Sequence, residues 1–466
     1  MNETDTLVSL LSHSIIPSED GHLSEYTAPS ERRREWISGF RGSAGTAIIS
    51  KHSAYLFTDS RYWIQAQREL DANWSLQKVG WQGTKDWLEW VILCPRGSKI
   101  GIDSRMIPHE RATRLFKGLY DRGSKLVHPR QNLVDLVWDD RPKRPKDAVY
   151  VQPEEYTGKG AREKLSDIRR WIRSQNAALA KQAKRSDSSN STTTTTTIAN
   201  ASKVTRQDSK SSSKTLVNSS PSSSPTPSQN ANPNENITAM FISSLSGVAH
   251  TLNLRGSDVP YNPVFTAYLL VAQDKTVLFI DLDKISAEVK SYLNECRVSL
   301  RAYADVWTYL RNKEWGEGKI IISPNTPYAV SLIIGSARFT VLPSFVEEQK
   351  AIKNECEIQG FRNAYLKDGA SMCRWFAWLD HKFRNGFEIT EWEASEKLND
   401  FRKEMPLYAG LAYETISATG PNAGESFLSL FFFFKIKTDQ GILFLLFRRS
   451  PAALYAFKSW RGGHQP

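Results

Sequence analysis

Ser43-Ala44-Gly45-Thr46-Ala47-Ile48-Ile49, then Ala54-Tyr55-Leu56-Phe57-Thr58, then Tyr62 to Leu70, place two short apolar runs directly before a helical pattern. The two runs read as strands. In the third segment Tyr62, Ala66 and Leu70 recur every four residues, which lines one face of a helix. Short strands alternating with helices argue an α/β fold. The alternation returns downstream, with a charged helix from Ala161 to Ala183 and strands at Tyr268–Ala272, Thr276–Ile280 and Lys319–Ile322. This organisation predicts two similar α/β domains in tandem, 6–145 and 146–345, although no residue-level repeat joins them. Between them, Arg141-Pro142-Lys143-Arg144-Pro145 reads as an extended linker, because proline disfavours helix at the residue before it.

The second domain is interrupted. Between Ser186 and Ser228, 24 of 43 residues are Ser or Thr, so residues 184–236 have almost nothing to bury and read as a disordered insertion. A third block, 346–423, opens with Lys353 to Asp380 as one or two amphipathic helices, with Ile358, Phe361, Tyr365 and Leu366 on the expected buried stripe. Thr390 three residues before Glu393 is a capping-box start for a helix running to about Glu404. Thr415 to Asn422 reads as a strand entering a turn. Residues 424–466 differ: the apolar runs Phe427–Phe434 and Gly441–Phe447 have neither helical nor strand period and are too short to span a bilayer.

Composition narrows the function. Of 466 residues 40% are hydrophobic, with 14 Trp and 21 Phe, which excludes a mainly disordered chain. No apolar stretch is long enough for a membrane span, and the polar, acidic start Met1 to Thr6 lacks signal-peptide order. Four cysteines without CxxC spacing fit a reduced, cytoplasmic protein. Of the net charge of +11, segments 181–235 and 424–466 hold +4 each, leaving +3 for the rest. The basicity sits in a linker and a tail, which argues against nucleic acid as a partner.

Local motifs give little chemistry. Gly39 to Gly45 is glycine-rich, but a phosphate loop needs a helix immediately after it, and here a strand follows; a turn between strands is expected. None of the eight histidines has HExxH or HxH spacing, and His381 beside Asp380 is expected on a helix surface. No GxSxG elbow is present, and Cys356 and Cys373 lie in helical patterns where a structural role is the default. The most unusual string is Asn253 to Phe265, polar and aromatic-flanked. It reads as a buried loop in which Arg255 and Asp258 are placed to pair, at a domain interface or beside a site.

At these residues the chain resembles the aminopeptidase P (Xaa-Pro aminopeptidase) branch of the creatinase-like, pita-bread metallopeptidases. The resemblance runs through Ile16–Tyr26, Ile37–Ala47, Thr58–Tyr62, Leu252–Phe265 and Ile416–Ala423. It implies two creatinase-type N-terminal domains before a pita-bread catalytic domain, a homodimer, peptide substrates with proline second, and two Mn2+ ions. The implied chemistry is metal-assisted hydrolysis, with two Asp, one His and two Glu holding the metals.

The resemblance stops at Ala423. Where an Ile-Ile-His-Tyr-like strand is expected, Gly424-Glu425-Ser426-Phe427 follows, and none of the five ligands can be carried over. The chain is therefore expected to hold an incomplete pita-bread domain, no catalytic or metal residues, and no bound metal. The tail reads as translated intron followed by out-of-frame exon, or as a truncated isoform. Arg255, Asp258 and Asn262 are expected to tie the second domain to the third, with Gly420 and Asn422 shaping the turn at the border of the site. A non-catalytic binding module, histone-chaperone-like or a dimerisation partner, is the alternative function.

Overall fold

The computed structural model describes residues 11–190 and 236–419, with 182–190 as backbone only. Gly420, Asn422, the tail 424–466 and most of the Ser/Thr-rich insertion lie outside the described residues.

The first unit contains β1 (His13–Pro17), α1 (Arg33–Ser38), β2 (Thr46–Ser50), β3 (Ala54–Thr58), α2 (Trp63–Glu69), β4 (Trp74–Lys78), α3 (Trp87–Ile92), β5 (Lys99–Ile102), α4 (His109–Tyr120) and β6 (Lys125–Val127). Its six-stranded sheet has the order β4-β3-β2-β1-β5-β6. Successive strand residues face opposite sides of a sheet. Ile15, Ile48 and Phe57 accordingly pack on α3 and α4 through Leu88, Val91, Leu115 and Leu119. Their neighbours Ile16, Ala47 and Leu56 pack with Phe40, Tyr62, Ala66 and Trp138 on the other side.

The second unit contains β7 (Tyr150–Val151), α5 (Glu154–Thr157), α6 (Ala161–Asn190), β8 (Ile237–Ile242), α7 (Leu245–Leu252), β9 (Leu254–Arg255), β10 (Ala267–Ala272), β11 (Thr276–Ile280), α8 (Ala287–Glu295), β12 (Val298–Ala302), α9 (Asp305–Arg311), β13 (Lys319–Ile322), α10 (Tyr328–Ile334) and β14 (Phe339–Val341). The sheet order is β12-β11-β10-β8-β13-β14. Strand for strand this is the first sheet again. A three-stranded antiparallel meander (β1-β2-β3; β8-β10-β11) carries one parallel strand on its far edge and two beside its first strand. The tandem α/β arrangement expected from the sequence is present. Helices cover both faces of the second sheet, so β10 is buried at every position and reads as an unbroken apolar run.

Three helices follow: α11 (Phe345–Ala351), α12 (Glu355–Arg384) and α13 (Glu391–Lys403). Thr390 and Glu393 form the reciprocal capping box that starts α13. Trp375 and Leu379 of α12 pack on Ala394 and Leu398 of α13, and the Trp375 indole donates to the Ala394 carbonyl at 2.6 Å.

Several local expectations are corrected. Gly39 to Gly45 joins helix α1 to strand β2 rather than two strands; Gly39 ends α1 with φ 69°. The loop then wraps the buried Arg34 guanidinium, which donates to the carbonyls of Phe40 and Gly42. Helix α6 passes Lys184 and is described as far as Asn190, because Ala177 to Lys184 consists of strong helix formers. The stripe expected to be buried on α12 is open: Phe361, Tyr365 and Leu366 are 51%, 63% and 76% exposed. That part of the helix lies outside the apolar cluster of Trp375, Leu379, Ala394 and Leu398. Residues 415–418 form no strand, since no neighbouring described strand offers a ladder. Cys373 is exposed rather than structural, whereas Cys356 is half-buried.

Candidate functional site

Two regions gather polar side chains: the seam between the α/β units, and the joint between the second unit and α12. At the seam, the loop after β1 lies on β8, β10 and β12. His22 Nδ1 stands 2.9 Å from the Ser243 carbonyl, which can only accept, so Nδ1 carries the proton. Nε2 therefore accepts from the Tyr303 hydroxyl at 2.8 Å. The Tyr268 hydroxyl donates to the Gly21 carbonyl at 2.9 Å, and the Tyr268 ring lies 4.3 Å from the His22 ring. Burial pushes the His22 imidazole below its ordinary pKa, although Asp20 opposes the shift.

Beside it, Glu31 receives Arg33, Arg141 and Arg144 at 2.5, 3.2 and 3.1 Å, and Asp135 receives Arg33 and Arg141 at 2.5 and 2.9 Å. Burial works against Glu31 ionising, but the three arginines outweigh it and hold the carboxyl below its ordinary range. The segment expected to be an extended linker thus supplies two of the seam's cations. Backbone bonds fasten the other end: His109 N–H to Thr326 O at 2.8 Å and Tyr328 N–H to Ile107 O at 2.9 Å. A cavity of about 60 Å³ remains between Asp20, Glu31, Arg105, Arg144 and Tyr303.

The joint is built on the Asn253–Phe265 loop. β9 pairs antiparallel with β7, which carries the loop past the C-terminal end of α7. Arg255 and Asp258 do not pair. Asp258 turns inward to an ion pair with Lys284, each only 2% exposed, and accepts the Thr266 N–H at 2.8 Å. Arg255 instead donates to the carbonyls of Ala249 and Leu254, at 3.1 and 2.9 Å. Asn262 closes a turn within the loop, its carbonyl accepting Val264 N–H at 2.8 Å. Among the described residues, none of the three hydrogen-bonds or ion-pairs with the third block. That contact is made by Asn354, whose side chain donates to Thr157 O at 2.9 Å, and by Cys356, whose thiol donates to Glu155 O at 2.7 Å. Gly158 allows this approach: a Cβ there would stand 2.6 Å from Asn354 Oδ1, and its φ is 62°. Arg255 lies within the field of Glu357 of the third block.

Sequence reasoning missed His22, Glu31, Lys284 and Lys164. His22 lies within the family-like stretch Ile16–Tyr26, but a single histidine carries no spacing signal. Lys284 and Lys164 sit in ordinary charged helical contexts, and only the fold reveals that they are buried.

The described residues do not fit a di-metal centre. No three His, Cys, Asp or Glu side chains converge to hold a metal ion among the described residues. His381 is exposed on α12, and Asp380 pairs with Arg384 at 2.9 Å. No described helix is long and apolar enough to cross a membrane.

Comparison with known proteins agrees with this architecture. Models of the creatinase/prolidase N-terminal domain match residues 19–135 and 228–357. A probable Xaa-Pro aminopeptidase P of Aspergillus niger is 36% identical over 420 residues, 88% of this chain and 58% of that protein. Its counterpart in Coprinopsis cinerea is 35% identical over 426 residues, again 88% and 58%. The crystal structure of X-prolyl aminopeptidase from Caenorhabditis elegans, a cytosolic enzyme with a di-nuclear active site, superposes with a TM-score of 0.73 at 28% identity. That match covers 89% of this chain and 60% of the worm enzyme. The chain thus spans somewhat over half the length of its relatives. Two creatinase/prolidase N-terminal domains in tandem, together more than half of the chain, place it in the creatinase/prolidase family, and over most of its length it is similar to Xaa-Pro aminopeptidases P.

Proposed function

We propose that these residues form the amino-terminal, non-metal half of an Xaa-Pro aminopeptidase, and that the 466-residue chain by itself does not release the residue preceding proline. The observation that carries the reading is the pairing of two complete creatinase-type units with a set of described residues that offers no convergent metal donors. Two manganese ions, a homodimer and a cytoplasmic location are what the family resemblance implies for the whole enzyme. The two α/β units would hold the α12 end of a catalytic domain in place.

A second reading, a binding module of the same architecture, is favoured by the exposed aromatic and aliphatic face of α12, a type of surface that marks association sites. The test is direct. The purified chain is incubated with manganese and a tripeptide carrying proline second, and the freed amino acid is measured. Release at background level is expected; release above it, abolished by chelator, overturns the proposal.

A further inference from the structure

The seam between the two α/β units is fastened around its rim, yet the cavity it encloses keeps opposite charges apart. Four arginines stand there, Arg33, Arg105, Arg141 and Arg144, and they bond three carboxylates, Glu31, Asp103 and Asp135. The fourth carboxylate is Asp20. It is 3% exposed, and its Oδ1 accepts the N–H groups of His22 and Ser24 at 2.8 and 3.0 Å. No cationic side chain lies in ion-pair range of Asp20 among the described residues. The arginines thus exceed the carboxylates they bond by one charge, and Asp20 is the balancing charge, held out of contact with them. A carboxylate taken out of water calls for a counter-charge as well as hydrogen bonds.

Both ends of this separation face one cavity of about 60 Å³, lined by Asp20 together with Arg105, Arg144 and Tyr303. Arg105 holds Asp103 through Nε and Nη2, and Arg144 holds Glu31 through the same two nitrogens, so each guanidinium keeps Nη1 outside its carboxylate bonds. These two side chains are 40% and 52% exposed, which opens the cationic end to solvent. Ser30 lines the same cavity, is 1% exposed, and its hydroxyl has no hydrogen-bond partner among the described residues. Buried hydroxyls are nearly always bonded, so an orphan beside a polar cavity points to a ligand group. His22 and Tyr303 do not meet that need. Burial holds His22 below its ordinary pKa and neutral, and the Tyr303 hydroxyl already donates to its ring.

We propose that this cavity binds a small zwitterion, a free α-amino acid, with its ammonium against Asp20, its carboxylate against Arg105 and Arg144, and the Ser30 hydroxyl bonded to one of its polar atoms. A ligand carrying both charges serves both ends through charge-assisted hydrogen bonds, which a lone cation or a lone anion does not. About 60 Å³ admits only a few non-hydrogen atoms, so the smallest amino acids are expected. Asp20, Ser30 and Arg105 come from the first unit, Arg144 from the connecting segment and Tyr303 from the second, so binding clamps the seam.

The test uses the 466-residue chain with glycine as the probe, at constant ionic strength. A saturable rise of the thermal unfolding midpoint is expected, with about one glycine held per chain in equilibrium dialysis. Methylammonium and acetate, each tested alone, supply one charged end apiece and are expected to bind about tenfold more weakly or worse. Asp20→Asn keeps an oxygen for the His22 and Ser24 N–H groups but removes the charge, and is expected to weaken glycine binding about tenfold or more. Ser30→Ala removes a hydroxyl that bonds no described residue, so the fold survives, and glycine binding should weaken about two- to tenfold. Saturation by methylammonium or by acetate at the strength of glycine would make this a simple ion site and overturn the proposal. A midpoint that rises linearly with glycine, equally in the parent and both variants, is exclusion of an osmolyte from the surface and overturns it as well. So does a midpoint that glycine does not move.

Discussion

The seam between the two α/β units and the joint with α12 are both polar contacts, yet only the first is closed within the described chain. At the seam Glu31 and Asp135 are each shared among arginines, Asp20 accepts two backbone N–H groups, the buried histidine has a donor and an acceptor, and backbone bonds fasten the far end. At the joint Lys164, Arg255 and Lys353 bond only carbonyl and amide oxygens, and the helix leading away from it exposes Phe361, Tyr365 and Leu366. The difference separates a contact that finishes a rigid body from one that awaits further material. It predicts that stability resides in the seam and that changes beyond the joint alter association instead.

The strongest way to break this contrast is Glu31→Gln. The variant leaves Arg33, which is 4% exposed, and two flanking arginines around a neutral amide. Removing one partner from a largely buried charge cluster costs about 3 kcal/mol. Urea unfolding at neutral pH measures it, and a loss under about 1 kcal/mol would mean that the seam is no more consolidated than the joint. The sign with pH follows from the depressed carboxyl: Glu31 contributes fully above the ordinary glutamate range and loses its contribution as acid protonates it.

His22 sharpens the comparison with a smaller effect. Its folded pKa is depressed below 6.5, so the unfolded chain takes up the proton first as pH falls. The stabilising contribution is thus present above pH 6.5 and is lost on descent toward the folded value. His22→Asn keeps a donor for the Ser243 carbonyl and removes the titration. Between pH 6.5 and 5 the parent should lose stability more steeply than the variant, by at most one proton, or about 1.4 kcal/mol per pH unit. Parallel curves would show that His22 does not report on the seam.

Much of this arrangement was legible in the sequence, for identifiable reasons. β3, β11 and β13 carry short runs rich in β-branched and aromatic residues between turns, and Thr390 with Glu393 announces α13 through a purely local bond pattern. The seam was not legible, because His22 meets Ser243 and Tyr303 across more than two hundred residues. Arg255 and Asp258, three apart, suggested each other because local spacing was the only information available. The fold supplied a better partner for Asp258 in Lys284, twenty-six residues on. The same limit misplaced the α12 stripe. Helical periodicity identifies an apolar face, and whether that face is covered depends on elements that periodicity does not contain.

That face yields the smallest expected effect on folding. Phe361→Ser with Tyr365→Ser alters two residues that are more than half exposed and lie outside the Trp375–Leu379 cluster binding α12 to α13. Exposed substitutions of this kind change unfolding free energy by no more than about 0.5 kcal/mol. Self-association should nevertheless fall, because the pair removes two aromatic rings from an apolar stretch that includes Leu366. Sedimentation velocity across a concentration series reads the two outcomes apart. A parent that self-associates and a variant that does not, at equal stability, would place the open side of the molecule on α12. Equal association in both would move the sticky surface elsewhere and leave the uncovered helix a tolerated feature. A large loss of stability would show instead that these rings pack against something in the native chain, and the contrast between a closed seam and an open joint would fail at its clearest point.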